Sequence, residues 1–328
     1  NGIQRVWMDD GYWPVLTIWQ YIQQTGDIEI LLRVAPFFQD GLGMRGTQRN
    51  AIQADRSCTG TVAEHMLLEQ LTAFCEAGEH SLLRLRDADW NDALDMAPQR
   101  GESGAFTSAY AGSMVLLAKM LETLQQTGKC NSLTLPRRFE ILLGEEDNWA
   151  SIASRREKLN RFCAQCIQIP DDDRIQIPLD KIVRHLDLCA DTLKAIIREK
   201  AWIQTEQDGW FNSYYDNHGI PLECGVPGQE RMMLTGQVFA ILGGVAAKSE
   251  IPQIYHAAKR LLYAPQVGGF RLNTQLNPED FQIGRMLAFA YGHKENGAVF
   301  SHMSVMFAYA LYSRGSVSYT HLTLPTIL

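Results

Sequence analysis

The chain has 328 residues, 46% of them hydrophobic and 20% charged, and no run of eighteen apolar residues. This is the composition of a soluble globular protein of one or two domains with ample core. A formal net charge of −7 argues against nucleic acid or an anionic membrane surface as a partner, so any anionic substrate must meet a local basic patch.

From the N-terminus the dominant hydrophobic period is 3.6. Val15, Ile18, Trp19 and Ile22 share one helical face after the candidate caps Asp9 and Asp10, and Thr25-Gly26-Asp27 stops the helix. Thr61 and Glu64 have capping-box spacing ahead of Leu67, Leu71 and Phe74, with a stop at Gly78. Leu117, Met120, Leu121 and Leu124 mark a third helix before Gly128. Ile152, Leu159, Phe162 and Cys166 mark a fourth before Pro170, and Ile182, Leu186, Cys189, Leu193 and Ile196 a fifth. Leu234, Val238, Ile241 and Val245 give a sixth, the stretch from Ile254 to Leu262 a seventh, and Val299, Met303, Met306 and Ala310 an eighth. The chain is therefore expected to be all-α. A short hairpin is expected at 208–222, where aromatic residues surround the turn Asn217-His218-Gly219.

The connections are long for a simple bundle. Spans 27–60, 79–107 and 264–297 run to roughly twenty residues or more, and long ordered loops of that kind are usually functional. No 34- or 40-residue self-similarity points to a solenoid. The seven cysteines, Cys58, Cys75, Cys130, Cys163, Cys166, Cys189 and Cys224, fall mostly among apolar residues of helical segments. They read as core side chains of a protein in a reducing compartment, expected to be the cytoplasm. Cys163 and Cys166 form a CxxC with no second pair, which reads as core too. The start at Asn1-Gly2, one short turn from a helix, suggests a preceding segment. Residues 316–328 are hydroxyl-rich with no helical period, resemble translated sequencing adaptor, and read as a non-native tail.

Two polar runs stand out. DADWNDALD, residues 87–95, packs four carboxylates and an amide around Trp90. A sugar site needs those parts close together: an apolar platform, a hydrogen-bonding amide and a carboxylic acid. KENGAVFSH, residues 294–302, supplies a cation, an amide and a histidine. The two runs read as two walls of one polar cleft. The plainer alternatives are a core tryptophan with capping aspartates for the first, and a satisfied core histidine and a solvated lysine for the second.

Together with DGWF…YYDNHG and the opening DDGYWPV…YIQQTGD, these motifs make the chain up to about residue 315 resemble glycoside hydrolase family 94, which includes cellobiose, chitobiose and 1,2-β-oligoglucan phosphorylases. The resemblance implies an (α/α)6 barrel, a toroid of six helical hairpins, truncated at both ends, with residues 1–315 as a partial catalytic domain and long active-site loops. It also implies inverting phosphorolysis of a β-glucosidic bond in a gluco-disaccharide or oligosaccharide, releasing α-glucose 1-phosphate. No metal or organic cofactor is needed, inorganic phosphate is the co-substrate, and a homodimer is expected of the full-length protein.

By the same resemblance Asp92 is the general acid, Trp90 covers the −1 sugar with Asp89 beside it, Lys294 and Glu295 line the acceptor side, and His302 contacts phosphate. The chemistry agrees with that division of labour. An inverting hydrolase needs an acid and a base about 6.5–9.5 Å apart, whereas phosphate arrives already anionic and needs one acid plus groups that hold it in line. Asp92 must be protonated at rest, by burial or by negative neighbours such as Asp89 and Asp95. An inverting hydrolase on the same toroid, with Glu295 as a base, and a non-catalytic carbohydrate-binding helical domain are the alternatives.

Several residues carry less. Trp210, Phe211 and Tyr214 could form a rim platform or simply pack. Arg45, Arg49 and Arg56 form a basic loop, and Arg100 follows the acid run as a possible anion partner. Asp9 and Asp10 match paired aspartates of the family but also suit helix capping. Phe289 stands where the family commonly has tyrosine, which puts the linkage in doubt and makes a β-1,2-glucan a competitor. Arginines expected upstream and a phosphate loop expected downstream are not found, so the chain alone is expected to be weakly active or inactive.

Overall fold

A computed structural model describes residues 7–38, 54–144, 149, 151–168 and 173–316. Among them nine helices dominate: α1 (Tyr12–Thr25), α2 (Val62–Cys75), α3 (Gly104–Gln126), α4 (Phe139–Leu142), α5 (Ile152–Gln168), α6 (Leu179–Ala201), α7 (Leu234–Leu242), α8 (Ile251–Leu261) and α9 (Ser301–Ser313). The eight helices expected from periodicity are all present, and α4 is an added single turn. The all-α expectation needs one correction, because among the described residues five small antiparallel sheets, one of three strands and four of two, stand between the helices. None of the described helices is long and apolar enough to cross a membrane. Ser316 aside, the expected tail lies outside the described residues, as do Arg45 and Arg49. Arg56, Cys58 and Cys166 are described in their backbone alone. Cys75, Cys130, Cys163, Cys189 and Cys224 form no disulfide among the described residues.

The chain divides into two compact units, residues 1–77 with 113–192, and residues 78–112 with 193–328. In the first, α1 ends where Gly26 turns left-handed at φ 72° and returns its N–H to Ile22, the conformation glycine adopts without steric cost. Pro14 is tolerated because it falls in the first turn, where no intrahelical N–H is required. The N-cap is Gly11, and Asp9 accepts from the Trp13 indole at 2.6 Å. Thr61 caps α2 by accepting from the Glu64 N–H at 3.1 Å, and the Glu64 carboxylate pairs with Arg174. Gln70 of α2 donates to the Gly11 carbonyl and accepts from Ser113 Oγ.

The same unit buries His185 of α6, edge-on to Trp149 at 4.7 Å. Burial, reinforced by the nearby Lys158 ammonium, pushes its pKa down from 6.5 to about 4, and its Nε2 has no hydrogen-bond partner among the described residues. A histidine held neutral in the fold and free to charge when unfolded adds stability above pH 6.5. That contribution is lost as the pH falls toward 4, at roughly 3 kcal/mol over the whole window. Urea titrations between pH 7.5 and 4.5 are expected to show this loss in the wild-type chain, and His185→Gln is expected to flatten the slope. An unchanged slope in the variant would assign the acid sensitivity to other groups.

The second unit is built around α7, buried from Leu234 to Ile241, with α9 packed against it. The N-terminal half of α3 approaches so closely that a Cβ on Gly112 would sit 2.6 Å from Gly243 Cα. Phe106 and Phe239 pack beside this crossing with ring centroids 4.6 Å apart. Strand Glu102–Ser103 is the centre of a three-stranded sheet, flanked by Leu83–Arg84 and Tyr214–Tyr215. The expected hairpin at 208–222 is therefore placed differently. Gly209–Phe211 pairs back with Trp202–Gln204, Tyr214–Tyr215 joins the central strand, and a lone bridge from Tyr215 to Pro221 closes the turn in which Gly219 is left-handed.

Candidate active site

The three-stranded sheet fixes the acid run. Asp89 is 2% exposed, and its carboxylate accepts from Ser103 Oγ at 2.9 Å on the central strand, from Tyr214 Oη at 3.3 Å on the edge strand, and from its own Asn91 N–H at 3.0 Å. The last bond is an Asx turn, which reverses the chain locally. Burial, with the Asp89 charge beside it, holds the Tyr214 hydroxyl well above its ordinary pKa, so it stays a donor. Asp89, expected to bind sugar, thus faces inward and anchors the loop.

Beyond the anchor the run is pinned again. Asn91 is buried, accepts from the Ala93 N–H and donates to Met286 Sδ. The Met286 N–H bonds the Ala93 carbonyl and the Met96 N–H bonds that of Ile283, both at 3.0 Å. Asp95 accepts from the backbone N–H of Arg285 and pairs with its guanidinium. Residues 93–96 are thereby laid along the segment 283–286, which ends in the 3-10 turn Arg285–Ala288. Asp92 lies between these pins and points outward, with 53% of its side chain exposed and Arg285 Nη2 3.7 Å from its carboxylate. The burial expected of Asp92 is therefore not found.

Trp90 is half-buried. Its indole N–H donates to His302 Nδ1 at 3.1 Å, and its ring meets the edge of Phe300 at 5.9 Å. Two runs separated by 212 residues in sequence are thus brought together, as expected of two walls of one cleft. His302 is the second residue of α9 and is exposed. No side chain among the described residues caps that helix, which leaves its first N–H groups and the positive end of its dipole beside His302.

The KENG run forms a tight turn. His293 and Asn296 bridge, Lys294 takes φ 47°, and Gly297 is left-handed. Asn296 is 4% exposed, donates to the Phe289 carbonyl and accepts from Asn273, which also takes the Gly297 N–H. Its amide therefore builds the turn. Lys294 is exposed with Nζ 4.8 Å from the centre of the Phe289 ring, and Glu295 beside it is half-buried. The turn that carries both leads into the strand-like bridge Arg271–Val299 and then α9.

Other candidates take structural roles. Trp210, Phe211 and Tyr214 are buried, so they pack and form no rim platform. Arg100 is engaged by Glu79 through two hydrogen bonds of 3.0 and 2.8 Å. In the first unit a cavity of about 510 Å³ is lined by Asp10, Trp13, Thr17, Ile18, His65 and Met66 among others. The residues that sequence reasoning missed are Arg285 and Ser103. Both act across long sequence separations, and nothing local to either marks it.

Residues 1–132 match the family model described as the glycosyl hydrolase 94 superfamily, catalytic domain. The chain is 23% identical over 299 residues to solabiose phosphorylase of Paenibacillus borealis, covering 91% of the chain and 29% of that protein. It is 24% identical over 332 residues to 3-O-beta-D-glucopyranosyl-beta-D-glucuronide phosphorylase of the same organism, covering 97% and 32%. It is 20% identical over 304 residues to N,N'-diacetylchitobiose phosphorylase of Vibrio proteolyticus, covering 92% and 28%. The chain spans about a third of the length of these relatives.

Proposed function

We propose, for a chain whose first 132 residues match the family model of the glycosyl hydrolase 94 superfamily, that it carries the acid and one side of the phosphate site of an inverting glycoside phosphorylase. The reaction is attack of inorganic phosphate on the anomeric carbon of a β-glucosidic bond, releasing α-glucose 1-phosphate. Asp92 donates the proton to the leaving oxygen, Trp90 covers the −1 sugar, Lys294 and Glu295 face the acceptor, and His302 with the uncapped start of α9 receives phosphate. No metal or organic cofactor enters this scheme. The helices are taken as part of an (α/α)6 barrel, and the full-length protein as a cytoplasmic homodimer.

The observation that carries the assignment is the 3.1 Å contact between Trp90 and His302. It sets a sugar-sized aromatic face, an outward carboxyl two residues on, and an imidazole at a helix N-terminus within one neighbourhood. An acid at one end and an anion site at the other suffice for phosphorolysis. The three relatives are named for three different disaccharides, so the acceptor is assigned here only as a sugar.

The test uses a full-length protein carrying this chain, a panel of β-glucobioses and inorganic phosphate. Release of glucose 1-phosphate is expected. Sugar release without phosphate would establish the hydrolase instead, and retained sugar affinity with no turnover would establish a binding domain.

A further inference from the structure

The indole N–H is a donor and never an acceptor. Trp90 Nε1 approaches His302 Nδ1 at 3.1 Å, so Nδ1 must present its lone pair, because a proton there would set donor against donor. The ring proton of the neutral imidazole is then on Nε2, across the ring from the indole. Trp90 is itself held by the edge of Phe300, the residue before α9, at 5.9 Å, and by the loop whose root is the buried Asp89 carboxylate.

We propose that Trp90 is a positioning residue for phosphate: its N–H fixes both the tautomer and the orientation of His302, so that Nε2–H is presented as the donor to the incoming anion. This rests on the assignment of His302 to phosphate. It gives the tryptophan a second role beyond covering the sugar, because one rigid indole then sets the spacing between the acid's loop and the anion donor. The same logic orients metal-bound imidazoles, whose second nitrogen is fixed by a hydrogen bond.

Trp90→Phe removes the N–H while keeping an aromatic face and the contact with Phe300. Calorimetric titration of full-length protein carrying this chain with inorganic phosphate, and separately with disaccharide, is expected to show phosphate affinity falling about tenfold in this variant, in line with one lost hydrogen bond. Disaccharide affinity is expected to fall less than threefold. His302→Gln is expected to weaken phosphate binding by a similar or larger factor, and Trp90→Phe added to His302→Gln to cost almost nothing more, because the indole acts through the imidazole. Additive losses, or a Trp90→Phe variant that binds phosphate as the wild type does, would overturn the positioning role while leaving His302 on phosphate. If His302→Gln leaves phosphate affinity unchanged, or the wild type does not bind phosphate, the assignment of His302 fails and this inference with it.

Discussion

Replacing Asp92 by asparagine in a full-length protein carrying this chain is expected to lower the rate of glucose 1-phosphate formation by roughly 10³-fold, within the range by which a positioned general acid accelerates reactions of this type. The substitution keeps the shape of the side chain and removes only the transferable proton. Its structural cost should be small. Asp92 is more than half exposed, and its one described ion pair, with Arg285, is long at 3.7 Å, so the melting temperature should move by no more than about 2 °C. A donor's leaving group decides whether the proton matters. On an aryl β-glucoside whose phenol departs as a stable anion, the variant should recover most of its lost rate, while on a glucobiose it should not. Equal losses on both substrates would remove Asp92 from the acid role and point to binding or folding. Asp95→Asn is the informative contrast: it disturbs a carboxylate only 10% exposed and paired to Arg285, so it should cost stability as well as rate.

How far the residues alone led differs between fold and site, and the physics of each explains why. Helices announce themselves through side chains three and four apart, so Val15, Ile18 and Ile22 or Leu186, Cys189 and Leu193 mark their elements before any contact is known. The same signal misplaces ends that tertiary packing decides. Val245 continues the period of α7, yet the helix stops at Leu242, followed by Gly243 and the left-handed Gly244; a Cβ on Gly243 would sit 2.0 Å from the Ser108 carbonyl. Two-residue strands such as Glu102–Ser103 are too short to show alternation, which is why the sheet that anchors Asp89 was not legible. In the site, Trp90, Asp92 and His302 stood out because their chemistry is unusual for the surroundings. Arg285 did not, since a single arginine in a long polar loop is commonplace until Asp95, 190 residues earlier, is seen to receive it. Asp89 was legible as important, but its buried position at the root of the loop was not, because a carboxylate beside a sugar platform and one beneath it look alike in sequence.

That dependence on a long-range seam makes Gly284→Ala a strongly damaging single methyl group in the second unit. Gly284 is extended, at φ 167° and ψ 173°, so its backbone suits any residue and strain of conformation is irrelevant. Space is what it lacks. A Cβ there would lie 2.0 Å from the Ala93 carbonyl oxygen, 2.6 Å from the Asp95 nitrogen and 2.6 Å from Leu94 Cα. All three are backbone atoms of the acid run, with no rotamer to relieve them, so the two segments must separate by about 1 Å or more in an interior that packs like a crystal. Separation lengthens the bonds from Met286 N–H to Ala93, from Met96 N–H to Ile283 and from Arg285 N–H to Asp95, and it carries Asp92 with it. The expected stability loss is about 3 kcal/mol by urea unfolding. The folded fraction should still turn over at least about 10²-fold more slowly, because a displacement near 1 Å at a reacting group costs that much. The two readouts separate cause from consequence. If stability falls and the rate per folded molecule does not, residues 283–286 brace the fold without aiming Asp92, and the acid's geometry is set by the Asp89 anchor and Trp90 alone.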